Sequence, residues 1–251
     1  MNPLLGQHAR RLSDAGVAGN LTSHGAENNL NKIGLLLEHD ESNTFGMEHL
    51  LQGVGFGEAY DAVSHQIGNP PDREENPGRG CIDPERTAEG LVEAGERIGA
   101  VAASGGRLLF ATGHPGAMIL YYLGIARWAR ELGGDVLTVE TRGRYERGVS
   151  LDWAESVAAL GDGASLFHTH DPVPMRDVLW QTGPVDLVVA DHGFAGAAIA
   201  ARIPTVVVMD TNDPAFAVVA GRGADVTVVP MDDNRPLNAY ATALDIVRKS
   251  A

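Results

Sequence analysis

The chain has 251 residues, 44% of them apolar, which is enough for one large α/β domain with a helical addition and excludes whole-chain disorder. Thirty-three acidic against nineteen basic residues give a formal charge of -14, so nucleic acid and anionic membranes are poor partners, and any phosphorylated ligand needs local compensation from N–H groups, a few cations or a metal. One cysteine excludes an intramolecular disulfide, and no apolar run approaches the roughly 20 residues of a membrane helix.

From the N-terminus, the chain first reads as helix and loop. Residues 1–11 lack the apolar core of a signal peptide, so a cytoplasmic protein is expected. Residues 26–39 place Leu30, Ile33 and Leu37 on one helical face. Residues 46–67 predict one or two short helices, and 68–80, dense in proline, glycine and charge, predict a loop. Gly53-Val54-Gly55-Phe56-Gly57 imitates a dinucleotide fingerprint, but no strand precedes it. Cys81 reads as an ordinary loop thiol, with no histidine beside it in sequence. Asp83 is a helix N-cap and Pro84 the first helical residue. That helix runs to about residue 103 and turns Leu91, Ile98 and Val101 inward.

Beyond residue 105, short apolar or β-branched runs at 107–112, 135–140, 164–169, 186–191, 205–210 and 225–230 alternate with helical stretches near 116–132, 151–160, 173–182, 194–202, 214–221 and 236–249. Runs such as Leu187-Val188-Val189-Ala190 and Val206-Val207-Val208-Met209 are apolar throughout, as in strands covered on both faces. The pattern predicts a doubly wound, Rossmann-like parallel sheet over 105–251, with a mainly helical part over 1–104 packing above the site. Neither a P-loop nor a Gly-x-Ser-x-Gly elbow occurs.

Five of the six runs end in His, Asp or Asn beside Gly or Pro, where open α/β sheets bind ligands. In Thr112-Gly113-His114-Pro115-Gly116, the glycines allow a tight turn, and free N–H groups at the following helix favour an anion. His114 can donate to that anion or transfer a proton, although alone the motif reads more simply as a turn with a surface histidine. His168 and His170 face the same side if extended; imidazole pairs suit zinc, iron or nickel. His168 reads as a satisfied core histidine, and His170, at the rim, as a ligand or acid/base in the pocket. Asp191 and Asp210 end apolar runs, which is costly for a carboxylate without a task; two such groups suit a hard divalent cation, assisted by His192 and Asn212. Asp213 adds further oxygens, though one of Asp210 and Asp213 is expected only to cap the helix at Pro214. Asp232, Asp233 and Asn234, with Arg235 and Tyr240 nearby, fit either the positioning of a substrate hydroxyl or an Asx-rich turn.

Glu27-Asn28-Asn29-Leu30, Ile82-Asp83-Pro84-Glu85-Arg86-Thr87, Ala111-Thr112-Gly113-His114-Pro115, His168-Thr169-His170, Ala190-Asp191-His192-Gly193-Phe194, Asn212-Asp213-Pro214 and Pro230-Met231-Asp232-Asp233-Asn234 occur in this order. The set, spanning about residues 20–245, resembles a mainly actinobacterial family called simply phosphatases. It bears a looser likeness to metal-dependent damage-control phosphatases, whose Asp and Asn residues at sheet ends hold a divalent cation, although their longer signatures are absent. The resemblance implies phosphate-ester hydrolysis, with Asn28 or Asn29 reaching over the pocket.

The combined expectation is a metal-assisted hydrolase of a small phosphate ester. Thr112, Gly113, Gly116, Asn28 and Asn234 hold the phosphorylated substrate; Asp191, Asp210 and Asp213 hold a cation, magnesium by preference; His114, His170 and Asp191 do the proton chemistry. A phosphosugar isomerase or lyase on the same fold and a non-catalytic sensor of a small ligand are the alternatives. A homodimer is expected from base rates.

Overall fold

A computed structural model describes residues 3–74, 78–140 and 143–251. Five helices precede the first strand: α1 (Pro3–Ala15), α2 (Ala26–Leu37), α3 (Glu41–Thr44), α4 (Phe56–Ile67) and α5 (Pro84–Ala103). α5 begins where its sequence dictates, with the Asp83 carboxylate accepting the Glu85 N–H at 2.9 Å and Pro84 in the first turn. Then follow β1 (Arg107–Ala111), α6 (Pro115–Glu131), β2 (Asp135–Val136), β3 (Ser150–Ala154), β4 (Val157–Gly161), β5 (Leu166–Phe167), α7 (Val173–Thr182), β6 (Leu187–Ala190), α8 (His192–Ala200), β7 (Thr205–Met209), α9 (Pro214–Gly221), β8 (Val226–Pro230) and α10 (Ala241–Lys249).

The result is an α/β fold with a mostly parallel sheet in the order β3-β4-β1-β6-β7-β8. From β4 through β1, β6 and β7 to β8, successive strands along that path are parallel. α5, α6 and α10 pack together as one helical layer; α7 packs on α8, and α4 on α9, which in turn covers β8. The apolar runs read as strands are buried, every residue of β6 and β7 included.

Three expectations about the sheet are corrected at one edge. Residues 151–160, predicted helical, form the antiparallel β3–β4 hairpin. Glu155 turns the chain with φ 54°, and Val157 and Ala158 pair with Phe110 and Ala111 of β1. The alanine-rich sequence is helical by local preference, but a place against β1 beneath α6 outweighs propensity. β4 takes the upper half of the β1 edge, so the predicted strand 135–140 keeps only two residues, paired with Arg107 and Leu108. The predicted strand 164–169 shrinks to β5, which runs antiparallel to β4. The sheet is therefore mixed rather than wholly parallel.

α8 is buried on every side from His192 to Ile199, so it has no polar face to present to water. Its glycines allow close approach from outside. A Cβ on Gly193 would collide with the carbonyls of His170 and Asp171, and one on Gly196 with that of Phe45. Phe45 fills the resulting space and stacks on Phe216 at 4.8 Å. Gly196→Ala should therefore lower stability by about 1–3 kcal/mol, the usual cost of overpacking, read as a lower midpoint in chemical denaturation with an unchanged slope.

Candidate functional site

Because β1, β6, β7 and β8 run parallel, their C-terminal ends share one rim. That rim carries Thr112 to His114, Asp191 and His192, Asp210 to Asp213, and Asp232 to Asn234. β4 continues past the end of β1, and β5 returns from there toward the rim. The returning strand delivers His168 and His170, fastened where the Thr169 N–H donates to the Gly113 carbonyl at 2.8 Å. These histidines thus arrive against the sheet direction. α2 adds Asn28 and Lys32, one turn apart, and the preceding loop adds His24. From these segments His24, Asn28, Lys32, His114, His168, His170, His192, Asn212, Asp213, Asp233 and Asn234 line a cleft of about 340 Å³.

Asp191 organises one side. Its Oδ2 accepts the Thr112 hydroxyl at 2.7 Å, and its Oδ1 accepts the Gly113 N–H at 2.5 Å. His192 Nδ1 stands 3.2 Å from Oδ1. Asp191 occupies the N-cap position of α8 but makes no capping bond with its side chain. The His114 N–H in turn donates to Thr112 Oγ1 at 2.9 Å. The Thr112 hydroxyl and the Gly113 N–H, expected to cradle a phosphate, are thus both directed at Asp191, and the His114 N–H is directed at Thr112. Gly113 is sterically required, since a Cβ there would strike the Thr169 carbonyl, whereas Gly116 is exposed with open space around it and does not line the cleft.

The other aspartates line the remaining rim. Asp210 Oδ1 accepts the Thr211 N–H at 2.6 Å. Its Oδ2 is buried without a hydrogen-bond partner, with His24 Nε2 at 3.6 Å. Asp213 Oδ2 accepts the Asp210 N–H at 3.2 Å and makes no capping bond to α9, so the expectation that one of this pair merely caps the helix fails. Asp232 is held by the Ser23 hydroxyl at 2.5 Å, the Ser23 N–H at 2.9 Å and the Asn234 N–H at 3.0 Å. Asp233 lies between two imidazoles, with Oδ1 3.3 Å from His114 Nδ1 and Oδ2 3.5 Å from His192 Nε2; that Oδ2 is another buried atom without a hydrogen-bond partner.

Among the described residues, three groups of side chains converge closely enough to hold a metal ion: His114, His168 and His192; His192, Asp213 and Asp233; and Asp210, Asp232 and Asp233. In each, the donor atoms lie within 4.8 Å of one another. Nitrogen and oxygen donors together, with two unpartnered carboxylate oxygens, fit a divalent cation. Asp191, expected as a ligand, belongs to none of these groups. His168 is not a core histidine; it is exposed to the cleft and stacks on His114 at 4.5 Å. His170 stacks on His192 at 4.7 Å, with its Nδ1 2.5 Å from the Ser42 carbonyl and its Nε2 3.1 Å from that of His168.

Burial dominates the electrostatics. It lowers His168 to about 4 and His170 to about 3, leaving both neutral. Burial also opposes charge on His192, but Asp191, Asp213 and Asp233 outweigh it and hold the ring at about 9. His114 is raised in the same way, burial being overcome by Asp233. Desolvation pushes Asp210 well above the carboxylate range, aided by Asp232 and Asp233, and lifts Asp213 to about 6. Asp233 is lowered: burial works against its charge, but His114 and His192 prevail.

Sequence reasoning missed His24, Ser23 and Lys32. The spacing of Lys32 four residues after Asn28 could have placed both on one helical face. Nothing local marks Ser23, whose partner Asp232 is 209 residues away.

A family model described as Phosphatase matches residues 5–249. Phosphatase SCO2771 of Streptomyces coelicolor is 33% identical over 252 residues, covering 95% of each chain.

The raised pKa of His192 has a consequence for stability. Its folded-state value of about 9 exceeds the ordinary 6.5, so the native state holds that proton more tightly than the unfolded chain. The stabilisation is complete below about 6.5 and disappears as pH rises through about 9. With chelator present, urea denaturation should give a stability that falls across this window with a slope on the order of 1 kcal/mol per pH unit, and His192→Gln should flatten it.

Proposed function

The chain belongs to the phosphatase family, and from that premise we propose that it is a metal-assisted hydrolase of a small phosphate ester acting in the cleft at the strand ends. The observation that carries this reading is the buried, unpartnered oxygen of Asp233 beside His192 and Asp213, in a donor set that suits a cation. His192, Asp213 and Asp233 are the residues that would hold it. A mixed imidazole and carboxylate set favours a transition metal such as zinc, iron or manganese over magnesium. Once bound, such an ion supplies positive charge for the phosphoryl oxygens and activates water.

The remaining roles belong to the chain. Lys32 and Asn28, with Asn234 at the rim, face the cleft where the phosphate must enter, and Lys32 offsets part of the acidic surroundings. His114, whose pKa Asp233 raises against the effect of burial, donates a proton to the leaving oxygen. His170, neutral and fixed with its Nδ1–H on the Ser42 carbonyl, accepts from His168 Nε2–H and so holds the His168 ring at the cleft, where its remaining nitrogen can accept from the attacking water. Asp191 is a positioning residue: it fixes the His192 ring and the turn that carries His114. The helices of residues 1–104 close the cleft from above through α2.

The test is a panel of small phosphate monoesters, assayed for inorganic phosphate with and without EDTA and after return of single metals. Metal-dependent phosphate release is expected; substrate conversion without phosphate release would point instead to an isomerase or lyase, and no turnover on any member would count against catalysis. Asp233→Asn should lower kcat/KM by at least about a hundredfold, and Asp191→Asn should weaken metal affinity by about 10–100-fold. Metal loading at neutral pH should release protons, because His192 must surrender its own; calorimetry in two buffers of different ionisation enthalpy measures the number.

A further inference from the structure

A cation held by His192, Asp213 and Asp233 leaves a second set of donors unused. Asp210, Asp232 and Asp233 bring one carboxylate oxygen each within 4.8 Å of one another, and all three side chains are buried. Asp210 Oδ2 is fully enclosed and has no hydrogen-bond partner. Asp232 is aimed into the same space and cannot swing away, since Ser23 and Asn234 donate three hydrogen bonds to it. His24, 3.6 Å from the free oxygen of Asp210, flanks the group. Asp233 belongs to both this set and the first.

We propose that Asp210, Asp232 and Asp233 hold a second divalent cation, so that the cleft contains a two-metal centre with Asp233 as the shared ligand. The proposal rests on the metal-assisted reading of the first group. The two positions differ in kind: one mixes imidazole with carboxylate, while the other offers carboxylate oxygens and suits a hard ion such as manganese or magnesium. Two cations also explain why so many carboxylates occupy one buried rim with few fixed positive charges facing them. In this arrangement Asp232, whose Oδ1 also closes an Asx turn with the Asn234 N–H, is a ligand as well, and Ser23 is the residue that orients it.

The experiment titrates the metal-free full-length chain with manganese chloride, counts bound metal after dialysis, and records the manganese EPR spectrum. Two equivalents per chain with an exchange-broadened signal are expected. Asp210→Asn, which removes a charge without changing shape, should bind one equivalent and give the resolved six-line spectrum of an isolated ion; Asp232→Asn should do the same. Thermal unfolding of metal-free Asp210→Asn should be no lower than that of the parent chain, which separates a lost ligand from a lost fold. One equivalent in the parent chain, or two retained in both variants, overturns the second site and leaves the first intact. No bound manganese or other divalent metal at all would overturn both readings.

Discussion

Taking a carboxylate out of water costs several kcal/mol unless something replaces the lost solvation, and this chain does so five times at one rim. Asp191, Asp210, Asp213, Asp232 and Asp233 are each at most 3% exposed. They are not treated alike. Asp191 and Asp232 receive hydroxyl and amide donors on both oxygens, and this compensation makes them rigid. Asp210 and Asp233 each retain a buried oxygen that accepts no hydrogen bond, the nearest imidazole nitrogen standing 3.6 Å and 3.5 Å away. The rim therefore contains a satisfied outer pair and an unsatisfied inner pair, and the chemistry assigned to the cleft depends on that difference.

Packing holds the imidazoles to the same plan. His192 adopts φ 44°, a left-handed conformation that costs a non-glycine residue roughly 1–2 kcal/mol. The strain is sustained because α8 is enclosed on all sides and because Asp191 and Asp233 grip the ring from opposite nitrogens. Phe45 supports the arrangement from the N-terminal helices, with its ring 5.0 Å from His170 and 5.7 Å from His192. The glycines of α8 are what let this segment come so close. Core packing and site geometry are thus one construction.

Much of the sheet was legible because β1, β6, β7 and β8 are short, apolar and followed by polar punctuation, a pattern that only a covered parallel sheet satisfies. The hairpin at 150–161 was not, because alanine-rich segments carry little strand preference of their own and pairing with β1 decides their state. At the rim, the strand-end rule gathered His114, Asp210 and Asp213 beside the cleft. It could not tell a supported carboxylate from a supporting one. Asp191 and Asp233 look equivalent in sequence; only the Thr112 and Gly113 donors around the first, and their absence around the second, distinguish them.

The bond from Ser23 to Asp232 joins residues at opposite ends of the polypeptide, as does the Asp232 N–H to the Val17 carbonyl at 2.9 Å. During synthesis, the early helices leave the ribosome long before their counterparts exist. The rim can close only after the last strand has emerged. Until then Asp191, Asp210 and Asp213, which follow β6 and β7, lack the neighbours that complete the rim, so an unfinished chain does not yet present the grouped donors of the folded protein.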